Sequence, residues 1–177
     1  NGNESDATTY SLLLSVNDAI AFTPSWNLFS FDIAIEDNAP EDVFAEFLES
    51  GNLIYVTGFG EIGSMYYDPT APPPFNTLTS IEPGLGYWVK LNDSDDITEQ
   101  GFPLTVSTSI DLMQSWTLIG YWVSESMSPE EAFAELVESG NLIYATGYNE
   151  GFTFYDPSLE PFLNTLTALE NGYGYWL

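Results

Sequence analysis

The sequence predicts a mostly β protein with a small helical component (α+β), built from two tandem homologous units with one short helix each. Three observations lead to this class. The seven letters ESGNLIY occur at 49–55 and again at 138–144. Hydrophobic residues make up 44% and aromatic residues 16% of the 177 positions, which is enough to build a core. Most apolar runs are short and bounded by Gly, Pro, Asn or Asp, which is typical of β-rich domains.

The repeat covers most of the chain and sets its predicted organisation. The sequence SW at 25–26 returns at 115–116, YDP at 67–69 returns at 155–157, NTLT at 76–79 returns at 164–167, and GYW at 86–88 returns at 174–176. We therefore expect a flexible N-terminal arm at 1–9, a first unit at 10–92, an acidic linker at 93–100 and a second unit at 101–177.

The elements of the two units are predicted in the same order. Strands are expected at 10–16 and 103–110, then at 26–33 and 116–123, where apolar residues on both faces indicate central strands. One helix per unit follows, at about 40–50 and 129–139. Ser128 supplies its N-cap, Pro129 its first position and Glu131 the capping-box acid, and Gly51 and Gly140 end the two helices.

The remaining predicted elements are all strands. They are expected at 52–58 and 141–147, at 65–67 and 152–155, as a short strand at 76–81, and as the closing strands 86–91 and 172–177. Pro residues stop several of them, because proline cannot donate to a strand ladder. The four repeated tryptophans, at 26, 88, 116 and 176, are expected in the cores.

The charge of the chain excludes several functions. It has 27 acidic residues and one basic residue, Lys90, with no His, which gives a net charge of −26. A chain with one cation cannot neutralise phosphates, so nucleic acid is excluded as a partner. No apolar run is long enough to insert in a membrane. Without His, Cys or Arg, the common general base, thiolate nucleophile and phosphate clamp are missing, so we expect no enzyme; carboxylate pairs of the glycosidase kind remain the one catalytic alternative.

One group of residues resembles a known module. The pattern of Trp26–Phe29, Asp68-Pro69, Pro161–Thr167 and Glu82–Trp88 resembles a β-rich module repeated in secreted and cell-surface proteins of bacteria and archaea. The resemblance covers nearly all of both units, and Gly-x-Gly-Tyr-Trp is its most specific part. It implies an extracellular or cell-surface location and a non-enzymatic role, with no catalytic residues to transfer. Asn171 departs from the pattern, since the first unit has Pro83 there.

Two further features suggest ligands. Asp93, Asp95, Asp96 and Glu99 concentrate the oxygen ligands that calcium prefers, although they lack the spacing of an EF-hand loop; a solvated acidic linker is the alternative. Trp122 stands where the first unit has Asp32, so it is expected at a surface or an interface. There it could stack on a glycan or pack against another subunit, and packing between the two units is the plainer alternative.

The N-terminal segment suggests self-association. A polar arm precedes the apolar YSLLLSV at 10–16, and the second unit stops at its closing strand. We expect the apolar segment either to pair with the sheet of a neighbouring copy or to pair within its own unit. The predicted subunit contacts are Tyr10, Leu12, Leu13, Leu14, Val16 and Trp122. The predicted function is therefore an extracellular structural protein, a subunit of a filament, tube or layer; the alternative is a carbohydrate-binding or adhesive module.

Overall fold

The computed structural model describes residues 14–149 and 151–177, which form three antiparallel sheets and four short helices. The predicted mostly β class with a small helical part is confirmed. The strands are β1 Val16–Phe22, β2 Ser25–Phe29, β3 Ile33–Ile35, β4 Leu53–Gly60, β5 Gly63–Tyr67, β6 Tyr87–Leu91, β7 Asp95–Pro103, β8 Leu118–Gly120, β9 Ala145–Tyr148, β10 Phe152–Tyr155 and β11 Gly174–Trp176. The helices are α1 Pro40–Val43, α2 Ala45–Glu49, α3 Pro129–Ala132 and α4 Ala134–Glu138, with 3-10 turns at Pro73–Phe75 and Pro161–Leu163.

Two of the sheets have four strands and the same order. The first-unit sheet runs β2-β6-β4-β5, and the second-unit sheet runs β8-β11-β9-β10. In sequence order these are corresponding strands: β2 and β8 each lie at one edge, and the closing strands β6 and β11 lie beside them. The prediction that the strands at 26–33 and 116–123 are central is therefore wrong, because among the described residues each has a strand partner on one side only. Each sheet packs against its own helices, so each unit has its own hydrophobic core.

The helical region of each unit is two short helices rather than one. Phe44 interrupts the first pair and Phe133 the second. Phe44 and Phe47 are 0% and 1% exposed, so the predicted apolar stripe does face the core. The predicted capping box is present, because the Ser128 hydroxyl accepts from the Glu131 N–H while the Glu131 carboxylate accepts from Ser128.

The third sheet, in the order β1-β7-β3, accompanies the first unit. Its central strand β7 contains residues 95–100, which the sequence assigned to a linker. β1 pairs with β7 from Val16 opposite Gly101 to Phe22 opposite Asp95. Alternation along β7 buries Ile97 against the first core and leaves its neighbours half-buried or exposed. The acidic segment is therefore held by one inward apolar side chain and two strand ladders.

Several strand predictions are wrong or shortened, and the strand predicted at 116–123 forms only at Leu118–Gly120. No strand forms at 104–117, although one was predicted at 103–110. This stretch is the counterpart of β1, whose ladder partner is β7, and the described part of the second unit contains no counterpart of β7. The predicted strand at 76–81 is irregular backbone, and the one at 141–147 forms only from Ala145. The prediction at 10–16 lies outside the described residues except at 14–16.

The two units meet at matching points. The Ser30 N–H donates to the Gly172 carbonyl at 3.0 Å, and the Gly120 N–H donates to the Gly84 carbonyl at 2.8 Å. Bridges join Phe29 to Tyr173 and Leu85 to Ile119. The end of β2 thus contacts the turn before β11, and β8 contacts the turn before β6. The junction is therefore approximately two-fold symmetric.

This junction explains the Gly-x-Gly-Tyr-Trp sequence. A Cβ on Gly86 would lie 2.7 Å from the Ile119 carbonyl oxygen, and one on Gly174 would lie 2.9 Å from Leu28 Cδ1, so only glycine allows this approach. The tyrosine that follows is buried, and its hydroxyl accepts a backbone N–H: Tyr175 accepts from Glu170 at 2.9 Å, as its counterpart does in the first unit. Burial raises the pKa of Tyr175 to about 12, so its hydroxyl stays protonated.

Candidate functional site

The second unit carries an open groove of about 790 Å³. Its walls are residues 112–117, residues 140–144, Leu136 and Leu177. None of these side chains carries a formal charge at neutral pH, in a chain with 27 acidic residues. The groove is thus an uncharged, partly apolar surface on a strongly anionic protein.

The corresponding region of the first unit is covered. Phe22 is 3% exposed and packs edge-on against Phe29 and Phe47 at 5.2 and 6.0 Å between ring centroids. Its counterpart Leu112 is 42% exposed. Val89 is 0% exposed, whereas its counterpart Leu177 is half-buried. For Phe22 the difference follows from β7, because Phe22 pairs with Asp95 of that strand and Ile97 packs in the same cluster.

A pair of asparagines shows the same difference in polar contacts. Asn52 is 8% exposed, and its Oδ1 accepts from the Asp93 N–H at 2.8 Å. Its Nδ2 donates to the Asp93 carbonyl at 3.3 Å and to Asp95 Oδ2 at 3.0 Å. The counterpart Asn141 is exposed, and its Nδ2 donates to Ser139 Oγ at 3.0 Å. In the first unit this side chain fixes the segment that leads into β7, while in the second unit it borders the open groove.

The backbone beside the groove is also open. In the first unit, β4 begins at Leu53 because Leu53 pairs with Leu91 and Tyr55 with Lys90. In the second unit, residues 142–144 precede β9 without being in a strand, and Ile143 is 82% exposed. An unpaired backbone edge next to apolar side chains is a surface to which another strand can be added.

The predicted subunit-contact residues other than Trp122 fall into two groups. Tyr10, Leu12 and Leu13 lie outside the described residues. Leu14 is 66% and Val16 41% exposed at the start of β1. These contacts remain predictions.

Trp122 lies at the junction of the units rather than on an open surface. It is half-buried, and its Nε1–H donates to the Thr105 carbonyl at 3.0 Å. Its ring also borders Gly84, at 3.4 Å from where a Cβ on that glycine would be. Of the expectations for Trp122, these contacts favour packing between the two units.

The acidic residues proposed for calcium are divided by strand geometry. Asp95 and Glu99 share the inner face of β7 with Ile97, whereas Asp96 points to the exposed face. Burial, followed by the charge of Glu46, raises the pKa of Glu99. Within residues 14–149 and 151–177, no three acidic side chains are grouped so as to hold a metal ion. Calcium binding stays a prediction.

An acidic pair that no sequence pattern indicated, Asp18 and Asp32, lies near the junction. The Asp32 N–H donates to Asp18 Oδ2 at 3.4 Å, and Asn171 Nδ2 donates to Asp32 Oδ2 at 2.8 Å. Burial, followed by the charge of Asp32, raises the pKa of Asp18 to about 6. Asn171 is the residue that departs from the repeated pattern, and its amide gives it a contact that proline could not make.

Rows of aromatic rings cover the outer faces of both sheets, and the repeated tryptophans lie there instead of in the cores. Successive rings in the rows are 5.1–6.3 Å apart between centroids. The first row is Tyr66, Tyr55, Trp26, Trp88 and Tyr148, and the second is Phe154, Tyr144, Trp116, Trp176 and Phe59. The tryptophans meet at 88° and 87°, so they pack edge to face rather than as one flat platform. The single cation, Lys90, lies 5.4 Å above the Trp26 ring.

Comparison with known proteins found no matching family model, curated protein or solved structure. None of the helices in the described part of the chain is long and apolar enough to cross a bilayer.

Proposed function

We propose that this chain is a non-enzymatic, extracellular structural protein, which associates with copies of itself into a filament, tube or layer by exchange of its N-terminal strand. The observation that carries the proposal is that one side of the first unit is buried, whereas the corresponding side of the second unit is exposed. Phe22, the last residue of β1 in the three-stranded sheet, is 3% exposed, while Leu112, at the corresponding position, is 42% exposed beside an open groove. A structural subunit uses such an open side to bind its neighbour.

The distribution of charge supports the same function. A net charge of −26 makes copies repel one another. The groove walls are uncharged, and residues 7–17 contain no acidic or basic side chain. Contact between these two surfaces brings copies together without burying carboxylates. Salt, divalent cations or mild acid should therefore promote association by screening or neutralising the remaining acids.

The extracellular location and the absence of catalysis rest on the resemblance to modules of secreted and cell-surface proteins, together with the lack of His, Cys and Arg. The self-association is the part that a direct experiment tests first. Purified full-length chain is followed by light scattering and electron microscopy over a range of concentrations, with and without salt and a chelator. Ordered polymers above a threshold concentration are the expected result.

The matched variants are Leu12→Asp and Ser5→Asp, which add the same charge to the N-terminal region. Leu12→Asp should raise the threshold concentration because it places a carboxylate in the apolar segment, whereas Ser5→Asp should leave it nearly unchanged. A chain that stays monomeric under every condition, or a Leu12→Asp variant that assembles like the parent, would contradict the proposal.

The aromatic rows favour a second function, that of a carbohydrate-binding or adhesive module. Trp116 is 44% and Phe152 74% exposed, and exposed rings bind sugar faces by stacking. This function predicts saturable glycan binding by the monomer, measured by calorimetry. Trp116→Ala would abolish it if the outer face binds, and Trp122→Ala would abolish it if the binding site lies at the junction of the units.

A further inference from the structure

We infer that the groove of the second unit is the acceptor site for the N-terminal strand of a neighbouring copy, which lies there as β7 lies against the first unit. This rests on the proposed function and names the site at which self-association takes place. The occupant is a second copy of this chain, and the bound segment is 8–14.

The first unit supplies the template. After β6, the chain bonds to Asn52 through Asn92 and Asp93 and then runs antiparallel to β1, with Ile97 turned into the core. The second unit has Leu112 in the place of Phe22 at the end of β1 and Asn141 in the place of Asn52, and both line the groove. Within the described residues no strand covers Leu112, which is 42% exposed. One extended strand that lies there as β7 lies in the first unit would cover it.

The N-terminal segment has the chemistry of that strand. Because side chains alternate along a strand, Tyr10, Leu12 and Leu14 share one face. An apolar face of this kind matches the apolar walls of the groove, which include Leu112, Leu136 and Leu177. Only residue 15 separates the bound segment from β1, which begins at Val16, so the groove of the neighbouring copy must lie directly beside the start of β1. Leu14, at 66% exposure, already lies away from the core of its own copy.

Asn141 would anchor the backbone of the incoming strand. In the first unit, Asn52 both donates to and accepts from the backbone of Asp93, which fixes where the strand begins. Asn141 is exposed at the corresponding place, with an amide that can make the same two bonds. A side chain that can bond to backbone rather than to a particular side chain suits a strand of different sequence.

Disulfide trapping in the full-length chain tests the arrangement cleanly, because the chain has no cysteine. Leu112→Cys is combined in turn with a cysteine at each of positions 10 to 14, and assembled samples are oxidised and run on non-reducing gels. We expect a ladder of covalent multimers that reductant removes, strongest at one of positions 10, 12 and 14 and weak at 11 and 13, since alternate residues of a strand are about 7 Å apart and only one of them can lie within disulfide distance of Leu112. Single-cysteine variants should give dimers at most.

A second measurement does not depend on cross-linking. Leu112→Glu places a charge in the groove and should raise the assembly threshold at least tenfold, because the contact buries that leucine. Ile62→Glu, at a position 83% exposed in a turn outside the groove, should raise it far less. Thermal unfolding of both variants checks that the fold is intact.

The outcomes separate the two proposals. If the parent chain polymerises while no double-cysteine variant gives a ladder and Leu112→Glu assembles normally, the acceptor site is wrong but self-association stands. A cross-link formed within one copy means that a segment of the same chain fills the groove, and it overturns this inference. A parent chain that never polymerises overturns both.

Discussion

Ser30 and Gly120 occupy corresponding positions in the two units and face each other where the sheets meet. A Cβ added to Gly120 would lie 2.5 Å from the Ser30 Cβ and 2.6 Å from its hydroxyl oxygen. Only one of the two positions can therefore carry a side chain. Ser30, which is 0% exposed, carries it and donates its hydroxyl to the Tyr173 carbonyl at 3.1 Å. Exchanging the two residues tests this geometry directly.

Each single substitution should destabilise the fold for a different reason. Gly120→Ser forces two carbons about 1 Å closer than their contact distance in a packed junction, which costs about 3 kcal/mol of unfolding free energy. Ser30→Gly loses one hydrogen bond and adds backbone freedom to the unfolded chain, which together cost about 2 kcal/mol. At about 2–4 °C per kcal/mol for a chain of this length, Gly120→Ser should lower Tm by about 6–12 °C.

The double variant Ser30→Gly/Gly120→Ser should recover most of the loss. The introduced hydroxyl would lie near the Leu85 carbonyl oxygen, which is 3.3 Å from the added Cβ and corresponds to the acceptor that Ser30 uses. We expect stability within about 1 kcal/mol of the parent, a strong departure from additivity. Calorimetric or denaturant unfolding of all four proteins measures it. If the losses simply add, or if Gly120→Ser has no effect, the two-fold junction is wrong.

Two further predictions concern the polar contacts. The pKa of Asp18 is raised from 3.8 to about 6, so the protonated carboxyl stabilises the fold fully below about pH 4, and this stabilisation is lost as the pH rises through 6. Asp18→Asn should therefore raise the unfolding free energy near pH 7.5 by about 1 kcal/mol, a value reduced for solvent screening. It should also flatten the dependence of stability on pH between about pH 4 and 6. If the unfolding free energies of the parent and of Asp18→Asn change in parallel with pH, this prediction is wrong. Asn52→Ala should lower the unfolding free energy by about 2–3 kcal/mol, because it removes three partly buried hydrogen bonds. Asn141→Ala should lower it by less than about 0.5 kcal/mol. Denaturant titration measures both losses, and equal losses would refute the contrast.

The parts of the fold that could be predicted from sequence are those that local pattern determines. The helical regions, the capping box at Ser128 and the closing strands followed from spacing and from glycine and proline. The strand at 103–110 was predicted on the same grounds and is wrong, because a strand also needs a partner, and pattern says nothing about whether one lies beside it. The tryptophan positions failed similarly: their side chains are apolar, but the sheet faces on which they lie are outer faces.

The candidate site shows the same division. The apolar N-terminal segment is visible in the sequence, and its pairing with another strand stays a prediction. The groove was not recognisable, because residues 112–117 and 140–144 are separated in the chain and meet only after folding. The contact of Asp18 with Asp32 likewise joins two strands of different pairing, which no spacing rule relates.

The sequence by itself determined that this protein is β-rich, doubled and strongly anionic, since composition, repetition and charge are properties of the chain. Only the tertiary structure decided that the acidic segment after the first unit is a central strand, and that the same side of the second unit is open. The physical reason is that a strand is stabilised by the ladder and the core beside it. Two nearly identical stretches of chain can therefore be covered in one unit and exposed in the other.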